Sequence, residues 1–407
     1  MVSLRFAQML MVMFRLALAG SLLVAMPSCG GGGATTKVAK PDPKKKGAKQ
    51  LVSDARDQAT AGRTDDADRS YGEAYSMASE SPKLAWEILE EWVDFLSHAG
   101  RNGRARDVAK QYYDANPADT KGYQLYAEAL ISGGKGKEAL DVASQLIQLA
   151  PDDASAHDKR GRALMLLDKL DEAADEFRKA VQIEPNNAKY HMSFGTALHR
   201  SNDVNKAALE FRAALKNAPE DAQAHVLLGM ALRDQGELDE SKTYLDKAIE
   251  LDPKNGPAYF ELGVLYNRQL KQADAEAAFG KAVKYSQNES RYWYAYGEIY
   301  RVQERYDEAI SAYKRAVELD PPYPKALGKL GGALVEKKQF DEAEPWLIQA
   351  IRKDDKNPAN YWYLGRSYDA RHKARQAIDN YELFLKNAPK DDPNREKARA
   401  NLSRLKR

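Results

Sequence analysis

Few residues of this 407-residue chain could do chemistry. It has one cysteine, Cys29, within LLVAMPSCGGGG, and six histidines. A lone thiol excludes an intrachain disulfide and a CxxC pair. His157, His191 and His225 step by 34 residues, while His98, His199 and His372 stand apart, and none has the HExxH spacing that places two imidazoles on one helical face. A metal would need the three stepped histidines to converge; a fixed step spreads them along a repeating structure, where they read as packing residues. GKLGGA, from Gly328 to Ala333, lies inside a helical pattern and not after a strand, so it is no phosphate loop. No nucleophile set is recognisable and no stretch outside the repeats could hold a catalytic domain. The expectation is a protein that is not an enzyme, with no metal and no small-molecule substrate.

Charge gives no sign of a nucleic-acid partner. The formal net charge is +2; segments 1–28, 30–50 and 392–407 carry +2, +5 and +4, which leaves −9 on residues 51–391. A mildly acidic body therefore lies between two basic ends.

Residues 1–28 combine Arg5 and Arg15 with an apolar run from Leu16 to Met26. That run is too short to span a bilayer core of roughly 30 Å, but it suits the apolar region of a secretory signal. Met9, Met11 and Met13 are alternative starts. Met26, Pro27, Ser28 and Cys29 then resemble the lipobox of bacterial lipoproteins, with Ser28 as the small residue before the cut and Pro27 a departure from the usual pattern. The resemblance implies cleavage after Ser28 and covalent diacylglycerol and N-acyl chains on Cys29. It also implies, from Gly30 at the next position, passage to the outer membrane with the chain facing the periplasm. Two or more acyl chains make such an anchor stable, where one would be marginal. Residues 29–47, with four glycines and a lysine-rich stretch, cannot bury a core and read as a tether reaching roughly 20 to 25 Å.

The elements that must position everything else come from an internal period. Written in blocks of 34, the chain superposes on itself. Block 154–187 has Gly161, Ala173, Phe177, Ala180 and Pro185 at positions 8, 20, 24, 27 and 32, and block 188–221 has Gly195, Ala207, Phe211, Ala214 and Pro219 there. Nine blocks run without insertion (86–119, 120–153, 154–187, 188–221, 222–255, 256–289, 290–323, 324–357 and 358–391), and a weaker one, 48–81, precedes them across four extra residues. Each block reads as two amphipathic helices of about a dozen residues joined by a turn. Gly62, Gly100, Gly134, Gly236, Asp168 and Asn202 suit the left-handed backbone of such a turn. Gln287 and Asp355 replace the proline of position 32, and Phe384 replaces the small residue of position 27 in the last block. Residues 392–407 read as a capping helix with Ala398, Leu402 and Leu405 on one face.

This pattern resembles the tetratricopeptide repeat over roughly 85% of the chain. The resemblance implies an all-α fold, a right-handed superhelical solenoid of about ten helix-turn-helix units whose inner wall is lined by the first helix of each repeat. On that wall fall Met192, Val226, Phe260, Tyr294, Gly328 and Trp362 at position 5, and Arg162, Met230, Val264, Glu298 and Arg366 at position 9. His199, Arg200, Arg233, Arg268 and Arg301 follow at positions 12 and 13. The expected groove is an apolar and aromatic ladder beside a basic rail, suited to a peptide with acidic and hydrophobic groups. The same aromatics could equally pack on the next repeat. Gly328 and Gly332 either open a pocket or let neighbouring helices sit closer.

Lipoproteins of this build resemble pilotins of type IV pilus systems and accessory lipoproteins of secretion and gliding-motility machines. That implies a membrane-anchored protein-binding scaffold whose partner is an outer-membrane barrel, a secretin subunit or a periplasmic machine component. A tethered activator of a periplasmic cell-wall enzyme is the alternative.

Overall fold

The computed structural model describes residues 47–407; Ser28, Cys29, the leader and the tether up to residue 46 lie outside the described residues. Among the described residues there are twenty-one helices and no strand. The paired helices are α1 (Ala48–Thr60) and α2 (Thr64–Met77), α3 (Pro82–His98) and α4 (Asn102–Ala115), α5 (Thr120–Ser132) and α6 (Gly136–Leu149), α7 (Ala154–Leu166) and α8 (Leu170–Ile183), and α9 (Ala188–Arg200) and α10 (Val204–Asn217). They continue with α11 (Ala222–Gln235) and α12 (Leu238–Leu251), α13 (Gly256–Arg268) and α14 (Gln272–Tyr285), α15 (Ser290–Val302) and α16 (Tyr306–Leu319), α17 (Pro324–Glu336) and α18 (Phe340–Lys353), and α19 (Pro358–Ala370) and α20 (Ala374–Asn387). A single helix, α21 (Arg395–Leu405), closes the chain. The all-α solenoid with a terminal helix is the fold class expected from the sequence.

The repeat positions have physical reasons. A Cβ at Gly161, position 8, would lie 2.7 Å from the ring of Phe177 at position 24, so the glycine is what lets the two helices of a pair close on that ring. Position 15 turns the chain in all ten pairs. It has positive φ at Gly62, Gly100, Gly134, Gly236, Asp168 and Asn202, and also at Leu270, Glu304, Lys338 and His372, whose residue types carry no sign of it. At position 34, Asp119, Asp153, Asn187, Asp221, Asn255 and Asn357 accept a backbone N–H of the next helix as N-caps.

Position 4 supplies a donor to the carbonyl six residues earlier. Tyr123, His157, His191 and His225 reach the carbonyls of Pro117, Pro151, Pro185 and Pro219. Trp293 and Tyr361 reach Gln287 and Asp355, the two residues that replace proline. The carbonyl, and not the pyrrolidine ring, is what the repeat uses here. The stepped histidines are thus polar clamps as well as packing residues. His157 and His191 also hold Glu176 and Glu210 at 2.7 Å, whereas Nδ1 of His225 has no partner among the described residues and its ring lies tilted 5.7 Å from Tyr244.

The far end explains its own departure. Phe384 sits where the six preceding repeats carry alanine, from Ala180 to Ala350, because no further pair follows. Its ring packs 5.4 Å from Trp362 and joins Ala398 and Leu402 of α21 in one core. None of the described helices is long and apolar enough to cross a membrane.

Candidate functional site

The first helices of successive pairs touch one another (α3 with α5, α5 with α7, α7 with α9, α9 with α11, α11 with α13, α17 with α19), besides packing on the second helices beside them. A stack whose first helices crowd together curves toward them, so these helices form its inner wall. The residues expected to line that wall behave in three ways.

Two are core. Val226 is 3% exposed and Trp362 is 8% exposed. Trp362 is enclosed by Tyr381 and Phe384. Both are corrections to the expected ladder: the terminal packing that Phe384 brings draws Trp362 inward. Met192, Met230, Phe260, Val264 and Tyr294 are half-buried. Phe260 stacks on Tyr292 at 4.3 Å with the Arg291 guanidinium 4.9 Å over its ring.

The basic rail is the second correction, because its arginines are already engaged. Arg162 makes a two-pronged pair with Glu128 of the preceding first helix, 2.7 Å on each prong. Arg200 reaches Asp168 at 2.9 Å. Arg233 pairs with Asp234 at 3.0 Å and with Glu261, and Arg268 donates to the carbonyl of Arg233 at 2.6 Å. Arg301 holds Glu298 at 3.1 Å, and Arg366 holds Glu336 at 2.5 Å. Apart from Arg301 with Glu298 and Arg233 with Asp234, which pair within one helix, these contacts brace one repeat to the next.

The wall opens at one end. A cavity of about 220 Å³ lies between α15, α17 and α19, lined among others by Tyr294, Arg301, Tyr306, Lys325, Lys329, Glu336, Asn360 and Tyr363. Its geometry follows from Gly328 and Gly332. Side chains there would collide with the Asn360 amide and, at 2.8 Å, with the Tyr363 ring, so their absence lets α19 lean onto α17. Helix α17 runs closer to α19 than to α15, and the space is left on the α15 side. Both outcomes expected of these glycines occur together.

Burial pushes the Tyr294 hydroxyl up to about 12 and raises that of Tyr363, so both stay neutral. Burial would also raise Glu298, but hydrogen bonds from Arg301 and Tyr313, with Lys329 at 3.0 Å, outweigh it and hold the carboxyl below its ordinary range. Sequence reasoning singled out Tyr294, Arg301, Gly328 and Gly332 at this place. It missed Lys325, Lys329, Glu336, Asn360 and Tyr363. The available signal was Asn360 at position 3, where Ala156, Ala224, Ala258 and Ala326 stand in other repeats. Among the described residues no cluster of His, Cys, Asp or Glu could hold a metal.

Family models for the tetratricopeptide repeat match residues 154–187, residues 193–257, 230–276 and 260–324, and residues 302–367. Together they span just over half of the chain. The chain belongs to the tetratricopeptide-repeat family. As such it is a protein–protein interaction scaffold, and no catalytic family is indicated. No curated protein matches it. Among solved structures the Cut9–Hcn1 hetero-tetramer of the APC/C is similar over 74% of this chain and 59% of that one, with TM-score 0.56 and 17% identity. A monomeric mutant of IFIT1 solved with Gppp-AAAA is similar over 85% and 92%, with TM-score 0.53 and 14% identity. Both likenesses concern the fold alone. Pseudomonas aeruginosa PilF, at TM-score 0.45 and 19% identity over 52% of this chain and 96% of that one, carries no argument.

Proposed function

We propose that this tetratricopeptide-repeat protein is a lipid-anchored scaffold of the bacterial envelope. In this reading acylated Cys29 holds the array on the periplasmic side of the outer membrane, where it assembles or stabilises a multiprotein machine of the pilus, secretion or gliding-motility type. The observation that carries the reading is the pairing of a lipobox-like MPSC and a glycine-rich tether with an array of ten helix pairs. An acyl anchor fixes where the array works, and the wall offers a long surface to an outer-membrane barrel, a secretin subunit or a periplasmic component.

Replacing Cys29 tests the anchor. Cys29→Ala should leave the helical circular-dichroism signal unchanged and move the protein out of the outer-membrane fraction, or stall it as precursor. A Cys29→Ala protein that still fractionates with outer membrane sinks the anchor. Photo-cross-linking from position 325 in intact cells, followed by identification of the product, tests the partner. Recovery of a machine component is expected; recovery of a cell-wall enzyme instead would replace the scaffold by the tethered activator.

A further inference from the structure

The face of α15 turned away from the inner wall is built unlike that of its neighbours. At about 100° per residue, positions 4, 7 and 11 of a first helix lie about half a turn from the wall positions 2, 5, 9 and 12. In α15 they hold Trp293, Tyr296 and Tyr300, all half-buried. Repeats 222–255 and 324–357 fill positions 7 and 11 with buried leucines, Leu228 with Leu232 and Leu330 with Leu334. The side chains opposite shrink where the rings grow. Ala312 occupies position 23, where Glu176, Glu210, Tyr244 and Trp346 stand in four other repeats, and Gly280 of α14 faces the Tyr296 hydroxyl with no side chain. The result is a hollow of about 330 Å³ between α15 and α16, lined by the three rings, Ser311, Asp307 and Glu308 among others.

The charge around it is acidic. Glu276, Asp307 and Glu308 share Arg305 and Lys337, three carboxylates to two cations. Glu304, beside Arg305 in the chain, is exposed and makes no ion pair among the described residues. The fold already shows what such a surface takes: the Arg305 guanidinium lies 4.4 Å over the Tyr300 ring while it donates to Glu276 and Glu308 at 2.9 Å each. An aromatic face attracts a cation through its quadrupole, and carboxylates at its edge complete the contact. The rings of Trp293 and Tyr296 carry no such cation among the described residues, and Asp307 on the same hollow is largely exposed.

We infer that this hollow is a docking site for an arginine side chain of a partner protein, on the outer face of the array. The guanidinium stacks on Trp293 and Tyr296 and donates to Asp307, as Arg305 does on Tyr300 with Glu276 and Glu308. Arginine suits the hollow better than lysine, because a planar guanidinium stacks on a ring and bonds a carboxylate at the same time. The inference rests on the reading of the array as a protein-binding scaffold, and it gives that scaffold a second surface opposite the inner wall.

The test uses the full-length chain in detergent, with dye-labelled tetraarginine as probe and tetracitrulline as its neutral counterpart, read by fluorescence anisotropy. Tetraarginine should bind, and tetracitrulline should not. Trp293→Leu and Tyr296→Leu install the residue that Leu327 and Leu330 show to fit those positions. Each should weaken tetraarginine about fivefold, the scale of one cation–π contact. Asp307→Asn should weaken it about threefold, whereas Asp239→Asn, the same change at the equivalent position of α12, should alter it less than about twofold. Equal binding of the two peptides, native affinity in either leucine variant, or equal losses from Asp307→Asn and Asp239→Asn overturns the site. If that happens while cross-linking still captures an envelope partner, the scaffold stands on its inner wall alone. Ring-dependent tetraarginine binding with no partner captured in cells removes the envelope-scaffold reading and leaves the site.

Discussion

The inner wall from α5 to α13 and the inner wall from α15 to α19 are built from the same repeat and do opposite things with charge. In the first, Lys159, Arg162, Arg200, Arg233 and Arg268 meet Glu128, Asp158, Asp168, Asp234 and Glu261, charge for charge. In the second, cations outnumber carboxylates and glycines replace two side chains beside a cavity. A solenoid needs each interface between neighbours to be stable. It can leave an interface chemically unfinished only where packing beyond it compensates, and here the shared core of Trp362, Tyr381, Phe384, Ala398 and Leu402 does so.

The largest expected effect separates the two walls directly. Arg233→Met strands Glu261, a carboxylate buried with it, and should cost about 3 to 5 kcal/mol in urea denaturation followed by circular dichroism. Arg301→Met removes a half-exposed contact within one helix and leaves Glu298 with Lys329 and the Tyr313 hydroxyl, so it should cost under about 1 kcal/mol. Equal losses would mean that both walls are braced alike, and the contrast would be wrong.

A second effect lies in acid. Burial raises Glu128, but hydrogen bonds from Arg162 and the charge of Lys159 outweigh burial and hold its carboxyl down to about 2. A carboxylate depressed below its ordinary value of 4.5 stabilises the fold above that value. The contribution is lost as pH falls from about 4.5 toward about 2. The native chain should therefore lose stability through that window, and Arg162→Met, which gives up the pair at every pH, should lose less there. Parallel acid-unfolding curves for the two would show that the brace contributes nothing to the braced wall.

Most of the fold was legible because the repeat writes each contact many times. Glycine at position 8 under an aromatic at position 24, and a turn at position 15, recur until one reading explains all of them. The pairing of the arginines was harder to see. Arg162 and Glu128 stand 34 residues apart at the same repeat position, so a row read for its cations alone looks basic when its partners lie one repeat away. Trp362 has the sequence position of a groove residue and the environment of a core residue, because Phe384 and α21 follow it and no further repeat does. The cavity depends on three single departures, Gly328, Gly332 and Asn360, that come together only when α17 and α19 are side by side. Repetition makes a fold readable, and the candidate site is where repetition stops.

The smallest effect carries the most information, because its size differs from that of a core mutation. Removing a buried side chain normally destabilises a protein. Asn360→Ala removes an amide with no partner and installs the residue that Ala156, Ala224, Ala258 and Ala326 show to be acceptable at that position. With no partner bond to lose, stability should stay within about 1 kcal/mol of the native chain. If Asn360→Ala instead destabilises by about 2 kcal/mol or more, the amide is a structural member of the α17–α19 contact, and the two walls differ only in how tightly they are packed.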